Sequence, residues 1–323
     1  MKKKILWILA LCFCVIFLTA CDITINVPPE PTEPQTTVQV SSNPVVETPS
    51  NSEEEIKMTE IKVSSARDLY LNIKPNTRII LTENYYNISY IDASTFSSDY
   101  VEVDNSFDGY EFIIHDVENL EIVADANVFP EFVTEGAHVN VISLRDCTNV
   151  TIDGLIVGHE VEKGSCTGGV IKLINCNIVA INHCGLYGCG TYGITTEDTN
   201  NVTVNNTEIY ECSYGLLELV RSNYFNFNNC TFRDSGVYSM LCFRECNNIS
   251  FENCTFRGNK SGAYSSFIEN STSPTITFTK CVFKDNTYDS LWSGEEPAFI
   301  GCKAEDPNFG QEYYYDVEPD YDE

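Results

Sequence analysis

The sequence predicts an all-β solenoid, a chain wound into stacked parallel coils, and three observations carry that reading. The first is an internal repeat from about residue 104 to 290. Its units are FIIHDVENLEIVADANV from Phe112, ISLRDCTNVTIDGLIV from Ile142, IKLINCNIVAINHCGL from Ile171, ITTEDTNNVTVNNTEI from Ile194, LELVRSNYFNFNNCTF from Leu217, LCFRECNNISFENCTF from Leu241 and IENSTSPTITFTKCVF from Ile268. Repeats of about 20 to 50 residues are the mark of stacked units that bury a core only together. The second observation lies inside each unit, where short period-2 apolar runs are broken by Asn-rich turns, the pattern of strands. The third is composition: 18 Tyr and 18 Phe against three Met and two Trp, with 43% apolar residues, suits strands and is enough for a core.

Charge narrows the function classes. Nineteen Lys and Arg stand against 47 Asp and Glu, a formal net charge of -28. Such a surface repels nucleic acid, because phosphate contacts need Lys and Arg to displace counterions. No nucleic-acid partner and no cofactor are expected.

In chain order, the first element is a leader. Residues 1–20 join a Lys cluster (Lys2, Lys3, Lys4) to an apolar run from Ile5 to Leu18, the layout of an export signal. The run is shorter than the roughly 20 residues of a spanning helix, and no positive flank follows it. Leu18-Thr19-Ala20-Cys21 resembles the bacterial lipobox. The resemblance implies cleavage before Cys21, lipidation of that thiol, and a protein held at the extracytoplasmic face of a bacterial membrane. Residues 21–57 are rich in Pro, Thr, Ser and Glu and contain no aromatic residue, so they cannot bury enough surface to fold. About 36 residues of stiff, extended chain at roughly 3.1 Å each would hold a domain up to about 110 Å from the bilayer.

Residues 58–302 form the predicted solenoid. Parallel stacking places equivalent residues about 4.8 Å apart. Ile142, Ile171, Ile194, Leu217, Leu241 and Ile268 then form one inward stack, and Ile152, Ile181, Val204, Phe227, Phe251 and Phe278 a second. Asn177, Asn200, Asn223 and Asn247 fall at one bend, where stacked amides can bond along the axis. With these ladders the chain resembles the pectin-lyase-like superfamily. That resemblance implies a single-stranded right-handed parallel β-helix solenoid, and Lys62 to Ser89 resembles its lead-in, a short N-terminal capping helix over the open core. Residues 303–323 read as an acidic, solvated C-terminal tail, with weak calcium binding as the sharper alternative.

Fifteen Cys less Cys12, Cys14 and Cys21 leave twelve in the domain. Cys147, Cys176 and Cys246 share one register position, Cys184, Cys230, Cys254 and Cys281 a second, and Cys189 with Cys212 a third, so they stack as small apolar residues. Neighbouring coils also come within disulfide range, which leaves Cys189 to Cys212 and Cys254 to Cys281 open as pairs. The spacings Cys184 to Cys189 and Cys242 to Cys246 do not suit zinc, and no metal is expected. His115, His138, His159 and His183 are far apart in register and read as solvated turn or face residues.

Enzymes of the resembled fold grip long polysaccharides along the outer face of one parallel sheet, so chemistry is sought there. Inward positions fix the outward ones: Ser143, Lys172, Thr195, Glu218, Cys242 and Glu269 in one row, and His115, Arg145, Ile174, Glu197, Val220 and Arg244 in the next. The bend after them carries Asp116, Asp146, Asn175, Asp198, Arg221 and Glu245. Glu197 and Glu218 lie one coil and two residues apart, a spacing compatible with the roughly 6.5 to 9.5 Å of an inverting carboxylate pair. For a lyase, Lys172 and Arg145 could share proton abstraction and neutralisation of a uronate. Against turnover, the chain has no adjacent Asp pair, no Gly-His-Gly, no Arg-x-Lys and no Arg-x-Pro-x-x-Arg, and Gly158-His159-Glu160 is only a partial echo. The sequence therefore points first to a surface-anchored module that binds a glycan or other extracellular partner through Lys172, Glu197, Glu218, Arg221 and Arg244. A polysaccharide lyase or glycoside hydrolase is the alternative. The same charges would also serve as an ion-pair ladder that keeps coils in register.

Overall fold

A computed structural model describes residues 57–310 apart from 163, 165, 166, 189 and 308. The leader, Cys21, the tether as far as residue 56, Cys189 and the tail beyond 310 lie outside the described residues. Within them the chain winds as a parallel β-helix whose strands make three sheets of nine, ten and nine strands. Each coil passes through a front sheet, a middle sheet and a back sheet in that order. Ile142–Arg145, Thr148–Asp153 and Ile156–His159 make one such coil.

The predicted ladders hold residue by residue. Ile142 pairs with Ile171, Ile171 with Ile194, Ile194 with Leu217, Leu217 with Leu241 and Leu241 with Ile268 in the front sheet. In the middle sheet Ile152, Ile181, Val204, Phe227, Phe251 and Phe278 follow in register. All of these side chains are buried. The aromatic end of the second stack is nearly face to face, with ring centroids 4.7 Å apart for Phe227 and Phe251 and 4.6 Å for Phe251 and Phe278. A third column, Phe232, Phe256 and Phe283, stacks beside it from the back sheet at 4.7 and 4.8 Å.

Single-residue corners explain why the coil can be so tight. Asp116, Asp146, Asn175, Asp198, Arg221 and Glu245 at the front corner all have φ between 46° and 56°. His183, Asn206, Asn229 and Asn253 do the same at the next corner, with φ between 49° and 55°. This left-handed conformation is least costly for Asn, Asp and Gly, which accounts for the Asx-rich turns of the repeat. The hydrogen-bond ladder runs round the corner without a gap: Asn175 N–H donates to Glu197 O at 2.9 Å and Asp198 N–H to Val220 O at 3.1 Å. Stacked amides behave as expected, since Asn223 Nδ2 donates to Asn200 Oδ1 at 3.1 Å and Asn247 Nδ2 to Asn223 Oδ1 at 3.3 Å.

Cys176, Cys184, Cys212 and Cys246 occupy buried corner positions beside Ser and Thr. Cys176 N–H, for example, donates to Thr199 Oγ1 at 3.2 Å. Cys254 and Cys281 are free thiols in adjacent coils, each donating to the carbonyl of the coil before, Phe227 O at 3.3 Å and Phe251 O at 3.4 Å. A thiol here completes a buried carbonyl that a larger side chain would crowd.

Three features depart from the sequence reading. His159 is not a solvated residue: it is 3% exposed, with Nε2 2.8 Å from Val139 O. The space it fills exists because Gly188 has no side chain, a Cβ there falling 2.7 Å from His159 Nδ1. Val101–Asn105 runs antiparallel to Tyr110–His115 and extends the front sheet as a hairpin. At the other end Lys303–Ala304 still pairs with Val282 and Phe283, so the last coil reaches into the segment read as tail. Asp306 closes that coil, accepting from Asn286 N–H and Nδ2 at 2.8 Å each.

The short helix is where the lead-in was expected, Ala66–Leu71, with Ser65 as its N-cap accepting from Asp68 N–H at 3.1 Å. It buries Ala66, Leu69 and Tyr70, and the Tyr70 ring stacks on Phe112 at 5.0 Å. An open coil would expose that aromatic floor to water, so the helix acts as the lid that a solenoid end requires.

Candidate functional site

The outer face of the front sheet is built as the period-2 pattern requires. Register sets Ser143, Lys172, Thr195, Glu218, Cys242 and Glu269 in one row and His115, Arg145, Ile174, Glu197, Val220 and Arg244 in the next. Lys172, Thr195, Glu197 and Glu218 line one shallow groove of about 290 Å³, whose upper wall is formed by Asn140, Thr167 and Thr191. The sequence-derived residues Lys172, Glu197 and Glu218 therefore share a site.

Their charges are not equally available. Arg221 bridges to Glu197 and also to Asp198, with Nε 2.8 Å from Asp198 Oδ1. Arg244 is paired with Glu218. The guanidinium of Arg221 holds the Asp198 carboxyl below its ordinary range. Among the described residues no hydrogen bond or ion pair reaches the Lys172 ammonium, which is left facing the groove.

Arg145 does not join Lys172. It is paired with Glu102 from the edge hairpin and approaches Asp146 at 3.8 Å, and the contact with Arg145 lowers the Glu102 carboxyl below its ordinary value. Glu102 precedes the aligned repeat, so no register argument could have found it. The Glu197 and Glu218 carboxylates each accept from an arginine, with Lys172 lining the same groove. Arg145 is thus engaged by Glu102 outside the groove that Lys172 lines, and both carboxylates of the candidate hydrolase pair carry an arginine.

Two further features of this face were not read from the sequence. Cys242 lies in the outward row yet is 3% exposed, because the Tyr192 hydroxyl covers it at 3.6 Å, and burial pushes its thiol up to about 12. Tyr192 begins an aromatic ladder that flanks the groove: Tyr192 to Tyr214 at 6.3 Å and Tyr214 to Tyr238 at 4.9 Å, both edge to face. The signal was present, since one tyrosine recurs at or just before the start of three successive front strands, in GTYG, CSYG and VYS. It was hidden because Tyr214 and Tyr238 fall in the loops between repeats, and Tyr192 at the very start of its strand, where period-2 alternation says little about direction.

Among the described residues no group of His, Cys, Asp and Glu gathers to hold a metal ion. None of their helices is long and apolar enough to cross a membrane.

Comparison with known proteins bears on the fold. A sequence-family model described as "Right handed beta helix region" matches residues 131–273. No curated protein sequence matches the chain. Among solved structures the chain is similar to a pectate lyase from Bacillus sp. N165 in complex with trigalacturonate, at 12% identity over 80% of this chain and 88% of that one, TM-score 0.45. It is similar also to a pectate lyase from Paenibacillus sp. 0602, at 13% identity over 78% and 85%, TM-score 0.42. An alginate lyase from Paenibacillus sp. str. FPU-7 shares 11% identity over 79% and 99%, TM-score 0.37. At such identities the sugar chemistry of those enzymes does not transfer. With the parallel register and the three-sheet coil, the matching repeat identifies residues 131–273 as a right-handed parallel β-helix.

Proposed function

We propose that the front face is a glycan-binding surface and that the protein acts there by binding, without turnover. The observation that carries this reading is the Lys172 groove: an unpaired ammonium among threonine hydroxyls, beside a tyrosine ladder, on a rigid sheet. Hydroxyls and an ammonium suit the oxygens of a sugar chain, and aromatic rings suit the apolar faces of its rings. Rungs about 4.8 Å apart are ordered before the ligand arrives, which lowers the cost of binding an extended polymer. We further propose that Cys21 is lipidated and that residues 21–57 hold this face away from the membrane, where extracellular polymers can reach it.

Turnover is the weaker reading because neither carboxylate of the groove is free of an arginine. The test is a glycan array with the purified chain, run beside assays for new reducing ends and for unsaturated products. Binding without either product is expected, together with its loss in a Glu218→Gln, Arg221→Ala double variant that melts within about 2 °C of the parent, as exposed ion pairs allow. Release of product would replace this reading with an enzymatic one. Binding undiminished by the double change would move the site off this face.

A further inference from the structure

Beyond the Lys172 groove the same face holds a second hollow, of about 350 Å³, lined by Ser239, Tyr264, Ser266, Glu269, Ser271 and Ser293. Glu269 stands in the same row as Lys172, the register running Lys172, Thr195, Glu218, Cys242, Glu269. Four rungs separate the two, roughly 19 Å at strand spacing. The charges between them are already matched, Glu197 with Arg221 and Glu218 with Arg244. Among the described residues Glu269, like Lys172, receives no hydrogen bond or ion pair. The face therefore presents at one end a cation without an ion-pair partner and at the other a carboxylate whose cationic neighbour, Arg244, is already paired with Glu218. The hydroxyls around the anion come from serines, and the ring of Tyr264 above them is 79% exposed.

We infer that this face binds a mixed linear glycan, with an acidic sugar unit at Lys172 and a neutral unit donating its hydroxyls to Glu269. The inference rests on the glycan-binding reading above. A carboxylate accepts hydrogen bonds and cannot donate them, so Glu269 favours sugars that present neighbouring hydroxyls. A polymer with a carboxylate on every unit would set one of them against Glu269, and juxtaposed like charges are a means of rejecting wrong partners. The surplus of 47 acids over 19 bases acts in the same direction along the whole face.

Calorimetry on the purified chain with three tetrasaccharides tests this: tetragalacturonate, an alternating glucuronate and N-acetylglucosamine tetrasaccharide, and cellotetraose. The alternating probe should bind most tightly. Glu269→Gln should raise the affinity for tetragalacturonate about fivefold, the size of one exposed charge interaction, and so narrow the preference. Lys172→Met should weaken the alternating probe by a similar factor of about five and leave cellotetraose unchanged. The inference is overturned if tetragalacturonate binds the parent as well as the alternating probe does, or if Glu269→Gln leaves their ratio unaltered. Binding that is abolished by the Glu218→Gln, Arg221→Ala change but indifferent to Glu269→Gln would overturn this inference alone. Failure of all three probes, or binding that survives the double change, would remove the glycan-binding reading with it.

Discussion

At the residue scale the most informative side chain is His159, because its environment contradicts its apparent role. Its Nε2–H donates to Val139 O, while the buried Nδ1 has no partner among the described residues. Burial outweighs both that hydrogen bond and the attraction of Asp108, and holds the imidazole below its ordinary value of 6.5. A folded value below the unfolded one means that the unfolded chain binds the proton more readily. Stability is then full above about pH 6.5 and declines as the pH falls through the window beneath it. The melting temperature should stay level from pH 8 to 7 and fall as the pH drops below about 6.5, and His159→Gln should remove that decline. A parent curve without the decline, or a variant that retains it, would show that His159 is not the group responsible. Acid loss from paired carboxylates such as Glu102 and Asp198 belongs to lower pH, because their arginine partners hold them down. The outward direction of Lys172, Glu197 and Glu218 was legible because a strand alternates strictly. Which of them would be matched by an arginine was not.

At the element scale the stack of phenylalanines does more than fill space. Phe251 lies between Phe227 and Phe278 with near-parallel rings, and edge-on contacts to Phe232 and Phe256 close the column sideways. Phe251→Ala would remove a ring that is fully buried among five others, and such truncations cost about 3 to 5 kcal/mol. Chemical denaturation followed by far-ultraviolet circular dichroism should show that loss, and a change under about 1 kcal/mol would mean that neighbouring coils collapse around the gap. The column was readable from the repeat because equivalent positions must stack in a parallel solenoid. The hairpin Val101–Asn105 was not readable, since its partner Tyr110–His115 lies next to it and the pair breaks the coil-to-coil rule. That local pairing is what brings Glu102 to Arg145.

For the whole molecule, the surface is strongly acidic and the core is one continuous column closed at its N-terminal end by the Ala66–Leu71 helix. The proposed delivery to a membrane rests on Cys21, which lies outside the described residues. Cys21→Ala should leave the leader uncleaved and shift the protein out of its normal membrane fraction. An unchanged mass and an unchanged distribution would remove the lipoprotein proposal while leaving the glycan-binding one intact. The two proposals are separable because Cys21 lies 36 positions before residue 57, where the described chain begins.

The sequence by itself determined the coil, its register and the inward stacks. Those properties depend on local alternation repeated at a nearly constant interval, and parallel stacking turns equal spacing into contact. It also determined which charges face outward from the front strands. Only the tertiary structure decided how those charges are used: that Arg145 is drawn to Glu102, that Glu197 and Glu218 are matched, and that Lys172 and Glu269 are left over. It likewise decided that Tyr192 covers Cys242 and that His159 is buried beneath Gly188. Each of these outcomes depends on loops and edges whose length varies between coils, where periodicity stops and packing between distant segments sets the direction of a side chain.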